Sequence, residues 1–330
     1  VRIYTKIAFL STKKYDIEFF NYANKKYNFD IKYFESKLNE KTAILAKDYD
    51  VVCAFVNDNL NENGIKILKE NGIKLIALRS AGFNHVDISA AKKYNIKVVH
   101  VPKYSPYAVA KHTIALILSL NRKIHKSYLR IRENNFSLDG LLGFDLHGKI
   151  VGIIGTGKIG RITANILKGF GMKILGYDKF LNDKFIGEYV DLNTLFKKSD
   201  IISLHCPLNK DTYHIINKNT INLMKKGVMI INTSRGGLID TKAVIDGLKS
   251  KKIGYLGLDV YEEEENIFFE DLSEEIIDDE TFLRLTTFPN VLITGHQSFF
   301  TQEALTNIAE TTLENINNFK NGTLNQNIVV

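Results

Sequence analysis

The 330-residue sequence has no tryptophan, two cysteines and four prolines. Nowhere does an apolar run reach the ~18 residues that a membrane-spanning helix needs. Residues 1–10 form one short strand-like run without the layout of a signal peptide, so neither export nor a membrane role is expected. Cys53 and Cys206 lie in or at the end of apolar strand-like runs, which predicts reduced thiols in a cytoplasmic protein rather than a disulfide. No repeat and no Gly/Ser linker interrupts the chain, and no metal site is expected. Charge is plentiful but dispersed: the net charge of +7 comes from lysines scattered along helix-like segments, the usual solvated surface. The densest basic stretch, Arg122, Lys123, His125, Lys126, Arg130 and Arg132, is set against residues 262–280, where eleven acidic residues stand without a basic one. That distribution excludes a nucleic-acid partner from the expectation.

What is present is alternation. The length suits two domains of ~150 residues. Short apolar runs at 6–10, 29–34, 50–55, 74–78 and 97–100 take turns with helix-like stretches, notably 60–71 and 86–94. This order implies a parallel sheet with helices on its faces. Ser105-Pro106 then opens a long apolar helix to about residue 120, the serine suiting the N-cap and the proline the first turn. A second series follows, with strands at 149–154, 172–177, 200–204, 228–231, 255–258 and 291–294. Two series predict two doubly wound α/β domains, and the last helix-like stretch, 301–320, is expected to return to the first.

Gly155-Thr156-Gly157-Lys158-Ile159-Gly160 is a G-x-G-x-x-G that follows an apolar strand and opens a helix ending at Gly171. In that context the glycines make a tight turn that lets backbone approach a pyrophosphate, and the helix N-terminus offers free N–H groups to it. Asp178 follows the next strand; a carboxylate there accepts hydrogen bonds from an adenosine ribose and repels a 2′-phosphate, favouring NAD over NADP.

Ligands of open α/β sheets bind beyond the carboxyl ends of the strands. The polar residues at those ends include Thr233, Ser234 and Arg235 after 228–231, Asp259 and the run Glu262, Glu263, Glu264, Glu265 after 255–258, and His296 after 291–294. An arginine fork binds a carboxylate, a histidine delivers a proton to a carbonyl oxygen, and a paired glutamate stabilises the protonated imidazole. With a nicotinamide hydride, the set suits reduction of a 2-keto acid. His205, also at a strand end, rivals His296, and position alone does not choose among the four glutamates.

The run from Met224 to Asp240, with Asn232-Thr233-Ser234-Arg235-Gly236-Gly237 at its centre, resembles the third signature of the D-isomer-specific 2-hydroxyacid dehydrogenases. The likeness extends from Arg79-Ser80-Ala81-Gly82-Phe83-Asn84 through Val101-Pro102-Lys103-Tyr104-Ser105-Pro106 to Gly295-His296, and is strongest to the D-lactate branch. It implies Rossmann-like domains, with an NAD-binding domain (104–298) inserted in a split, flavodoxin-like substrate domain (1–103 and 299–330), and a homodimer built through the 105–120 helix. It also implies NADH-dependent, reversible reduction of pyruvate to D-lactate. Larger 2-keto acids, glyoxylate or hydroxypyruvate, and a non-enzymatic NAD-sensing scaffold or co-repressor, are the alternatives.

By resemblance, Arg235 takes the substrate carboxylate, His296 the proton and Glu264 the support of His296, while Asp259 sits near the nicotinamide amide. The amides of Ala81 and Gly82 and the Tyr104 hydroxyl complete the carboxylate pocket, and Cys206-Pro207 lies at the cofactor edge. Phe55 and Phe299 would wall the space for the substrate's side chain, although a phenylalanine at 55 also suits a plain core. Lys111, Gly295, Cys206 and Thr212 depart from the family pattern, the last at a minor cofactor contact.

Overall fold

The computed structural model describes residues 5–323 and 326–330, so the first four residues of the N-terminal strand-like run lie outside the described residues. The chain divides into one unit of Val1–Ser105 with Phe299–Val330 and another of Pro106–Ser298.

In the first unit Val51–Ala54 and Leu75–Leu78 carry no polar residue at either parity and are buried throughout. Strands of that kind require cover on both faces. The unit supplies it by alternation: β1 (Lys6–Phe9), α1 (Lys14–Asn24), β2 (Asp30–Tyr33), β3 (Val51–Ala54), α2 (Glu62–Glu70), β4 (Leu75–Leu78), α3 (Ile88–Lys93) and β5 (Lys97–Val99). All five strands are parallel in the order β2-β1-β3-β4-β5, the flavodoxin-like order. The C-terminal segment closes the far edge: Val329 and Val330 exchange backbone hydrogen bonds with Val98.

The second unit continues with α4 (Pro106–Arg122), α5 (Ile124–Arg132), β6 (Ile150–Ile154), α6 (Lys158–Gly169), β7 (Lys173–Tyr177), β8 (Glu188–Tyr189) and α7 (Leu192–Lys198). Then come β9 (Ile201–Leu204), α8 (Lys218–Leu223), β10 (Val228–Asn232), α9 (Thr241–Lys249), β11 (Ile253–Leu258), α10 (Glu280–Thr286) and β12 (Val291–Ile293). The sheet runs β12-β11-β10-β9-β6-β7-β8, all parallel, with the order reversing at β6/β9 where the glycine-rich turn emerges. Side chains split by parity: Val228 and Ile230 enter one core, Met229 and Ile231 the other. The face of α4 bearing Ile114, Leu116, Ile117 and Leu120 packs on the second of these cores.

The final helix, α11 (Gln302–Lys320), belongs to the first unit, where it packs against α1 and β4. Thr301 caps it. Differences from the sequence expectations are local: α4 runs to Arg122 and β11 begins at Ile253. The two-residue β8, half-exposed at the sheet edge, has no apolar run that could have announced it. Among the described residues no helix is long and apolar enough to cross a membrane.

Candidate active site

Strand β6 leads into Gly155 at φ +95°, where a Cβ would collide with the His205 carbonyl and the Cys206 amide. A Cβ on Gly160 would strike the Gly155 carbonyl, so the turn and α6 close only without side chains at both positions. At Gly157 the reverse holds: a Cβ would meet nothing within 4 Å, and no side chain caps α6. The first-turn N–H groups of Lys158, Ile159 and Gly160 are therefore left at the positive end of the helix without an intrahelical partner, a seat that fits a dinucleotide pyrophosphate.

Asp178, at the end of β7, accepts from the Thr156 amide at 2.6 Å and its hydroxyl at 3.1 Å, which ties the carboxylate to the glycine turn. Across the turn, Ser234 Oγ donates to the Cys206 carbonyl at 2.8 Å and Thr212 Oγ1 to the Pro207 carbonyl at 2.6 Å. The Thr233 hydroxyl is bonded to that of Thr113 at 2.9 Å. These three hydroxyls hold the rim of the site together. Burial pushes the Cys206 thiol up to about 12, so it is a neutral wall.

Beyond β10, the fully buried Asn232 donates to the Arg235 carbonyl at 2.8 Å and accepts from the Ser234 amide at 3.0 Å. This loop projects Arg235, half-buried, with Nη1 donating to the Ser234 carbonyl at 2.7 Å. Beyond β11 the four glutamates part company. Glu262 lies 2.5 Å from His214 Nε2 and accepts from the Thr241 hydroxyl at 3.0 Å, whereas Glu263 and Glu265 are exposed. Glu264 faces His296, with Oε1 at 2.7 Å from Nδ1, and its Oε2 accepts from the Tyr261 amide at 2.8 Å. The bond on Nδ1 leaves Nε2 of His296 as the nitrogen for proton exchange.

His205 differs in kind. It sits 2.8 Å from Ser203 Oγ and has no carboxylate partner among the described residues. The residue keeps slight exposure, but protein encloses its ring, and desolvation lowers its pKa to about 4. It is neutral across the physiological range, a poor proton donor beside His296.

His296 has φ +52°, a left-handed conformation costing ~1–3 kcal/mol for a residue with a side chain. Asp259 holds it there. The Asp259 carbonyl accepts from the His296 amide at 2.7 Å, and its carboxylate accepts from the amides of Gln297 and Ser298 at 2.9 and 2.8 Å. Thr294 Oγ1 donates to the same carboxylate at 2.5 Å. Burial alone would raise Asp259, but hydrogen bonds from His112, Thr294 and Ser298 bring it below the usual carboxylate range. This carboxylate, expected near the nicotinamide amide, is fully buried and holds the loop that carries His296.

His112, on α4, completes the brace with Nε2 at 2.9 Å from Thr294 Oγ1 and 3.3 Å from Asp259 Oδ1. Since the one hydroxyl hydrogen of Thr294 goes to the carboxylate, His112 must carry its hydrogen on Nε2 and donate. In the sequence Asn232 stands out only as part of the signature run and Thr294 only as a strand end, and nothing marks His112: their partners are set by strand-end geometry, and His112 lies 182 residues from Thr294.

The remaining expected residues belong to the first unit. Phe55, 6% exposed, lies beneath the Arg79 guanidinium at 4.7 Å and 6.4 Å from the Phe299 ring. Tyr104 meets Phe299 edge-on at 6.2 Å, and its carbonyl accepts from Asn307. The Ser80–Gly82 turn is closed by Ser80 Oγ on the Gly82 carbonyl, and the Ala81 carbonyl lies 2.8 Å from His100 Nδ1. The amides of Ala81 and Gly82 make no hydrogen bond among the described residues.

A family model described as "D-isomer specific 2-hydroxyacid dehydrogenase, NAD binding domain" matches residues 114–298. The chain is 55% identical to a 2-hydroxyacid dehydrogenase homolog of Haemophilus influenzae, over 98% of this chain and 99% of that one. It superposes on the apo-structure of D-lactate dehydrogenase from Escherichia coli with a TM-score of 0.90 and 49% identity, covering 99% and 100% of the two chains. On D-lactate dehydrogenase from Aquifex aeolicus, solved with NAD and lactic acid, the TM-score is 0.88 at 36% identity, covering 98% and 99%.

Proposed function

The chain belongs to the D-isomer-specific 2-hydroxyacid dehydrogenases, and on that premise we propose that it catalyses the reversible, NADH-dependent reduction of pyruvate to D-lactate. The observation that carries the reading is the pairing of Glu264, beyond β11, with His296, beyond β12, with Arg235 beyond β10, the next strand of the same sheet. Bound NADH supplies the hydride. The guanidinium of Arg235 holds the substrate carboxylate by its planar fork, which orients the keto carbon. His296 enters protonated and gives the Nε2 proton to the carbonyl oxygen as charge develops there. Glu264 holds Nδ1, on the other side of the ring, and stabilises the cation until that proton leaves. In the oxidative direction the neutral imidazole takes the hydroxyl proton back.

In this reading the first unit is the substrate domain: the amides of Ala81 and Gly82 and the Tyr104 hydroxyl assist with the carboxylate, and Phe55 and Phe299 limit the side chain. Asp178 receives the adenosine ribose, and the rim from Cys206 and Pro207 to Thr212, with Thr233 and Ser234, borders the cofactor. The two free, buried cysteines suit a cytoplasmic protein, and the exposed side of α4, with Tyr107 61% exposed, is the surface for a homodimer. The test is loss of NADH absorbance with pyruvate beside 2-ketoisocaproate and hydroxypyruvate. The highest kcat/KM is expected for pyruvate; a preference for either rival replaces the substrate, and silence with all three removes the enzymatic reading.

A further inference from the structure

The carboxyl ends of β10, β11 and β12 carry the residues assigned to catalysis; their opposite ends open into a separate cleft. Gly227, just before β10, Ile253 at the start of β11 and Asn290, just before β12, line it, and so do the C-terminal end of α4 and the segment after α10. Its volume is about 740 Å³, large enough for a metabolite rather than a single inorganic ion.

The lining has one sign. Lys123, Lys126, Lys226, Lys249, Lys251 and Arg284 border the cleft, and none of its lining residues is acidic. Asp246, outside the lining, pairs with Lys249 at 3.7 Å. Lys123 is held in place by the carbonyls of Gly140 and Leu142, both at 2.9 Å, which fixes its charge at the rim. Arg284 is fixed over the Phe288 ring at 4.8 Å. Burial, then the like charges of Lys123 and Arg130, lower Lys126 from the ordinary lysine range. Burial, then Lys126, lowers His125 as well, so the cleft's charge comes from lysine and arginine rather than histidine. Between the cations the floor is apolar, with Leu120, Leu248, Ile253, Tyr255 and Phe288. Low-dielectric walls lined by one sign of charge concentrate the field and attract counter-ions.

We propose that this cleft binds a small organic polyanion, a metabolite with two or more carboxylate or phosphate groups on a compact body, at a site separate from those of cofactor and substrate. The five residues of β10 alone put ~16 Å between the cleft and the loop bearing Arg235, so one small molecule does not fill both. The cations engage the anionic groups, and the apolar floor receives the body between them. The proposal does not depend on which keto acid is reduced.

Titration calorimetry of the native oligomer at low ionic strength tests it, with NADH saturating so that the pyrophosphate seat at α6 is filled. Citrate represents the polycarboxylates and inorganic pyrophosphate the phosphates, and the tighter of the two identifies the class. Saturable binding is expected, one molecule per chain, weakened roughly tenfold or more by the double substitution Lys226→Glu and Lys251→Glu. NADH affinity and basal keto-acid reduction should stay at wild-type values in that variant, which also shows that it folds. Lys251→Arg keeps the charge and should bind like the wild type. Absence of saturable binding by both probes, or binding indifferent to the charge reversals, overturns the proposal.

Discussion

Arg235 is expected to tolerate little substitution, because its proposed role needs shape as well as charge. Arg235→Lys keeps the cation and loses the fork, so KM for the keto acid should rise and kcat fall together, with NADH affinity near wild type. Unchanged kcat/KM removes the carboxylate from Arg235. Glu264 offers charge at fixed geometry. Glu264→Gln keeps an acceptor on His296 Nδ1 and removes the counter-charge, so reductive kcat should drop ~10- to 100-fold. Glu262→Gln is the internal control: its carboxylate serves His214 and Thr241, and kcat should stay near wild type. A loss in the second variant instead of the first would transfer the role between the two glutamates.

At the scale of the element, the loop 294–298 is the most demanding piece. It holds His296 at positive φ and is fixed from below by Asp259 and from the side by His112 on α4. His112→Leu should lower kcat roughly tenfold with little change in KM, through misplacement of the imidazole. His112→Gln, whose amide can still donate, should recover part of the loss; equal damage in both would make His112 mere packing. Asp259→Asn replaces an acceptor of several hydrogen bonds and should cost about 1–3 kcal/mol of stability at neutral pH. Its folded-state pKa is depressed, so the charged form's contribution is present above the unfolded value of ~3.9 and is lost as pH falls through the folded value. Denaturation midpoints of mutant and wild type should therefore converge in acid; a constant gap would mean the charge is not what stabilises the loop.

These elements also show what the sequence could reveal. The strands of both sheets, apart from the two-residue β8, were legible as mostly apolar runs bounded by turn residues, and the glycine turn because its spacing has one steric solution. The direction of each glutamate was not: residues 264–266 form a 3₁₀ turn, and no periodicity says which carboxylate it aims at a histidine. Nor could position separate His205 from His296, since both follow strands. Burial and a carboxylate partner do separate them, and neither can be read from residue order.

Across the whole molecule, the chain makes a five-stranded unit, leaves it at Ser105, builds a seven-stranded unit and returns at Phe299. The hydrophobic alternation carried that plan, because each unit has its own core. Charge is distributed on a larger scale than any motif: the basic cleft at one end of the second sheet and the acidic residues after β11 average out in composition. The proposed reduction rests on Arg235, Glu264 and His296 in the second unit, and the proposed preference for a small side chain rests on Phe55 and Phe299 in the first. The most direct measurement is NADH-coupled turnover of pyruvate against 2-ketoisocaproate, with chiral analysis of the product. D-lactate is the expected product, with a kcat/KM for pyruvate roughly ten- to a hundred-fold higher, the discrimination an apolar wall can give. L-lactate as product, or equal turnover of the longer acid, would contradict the proposal.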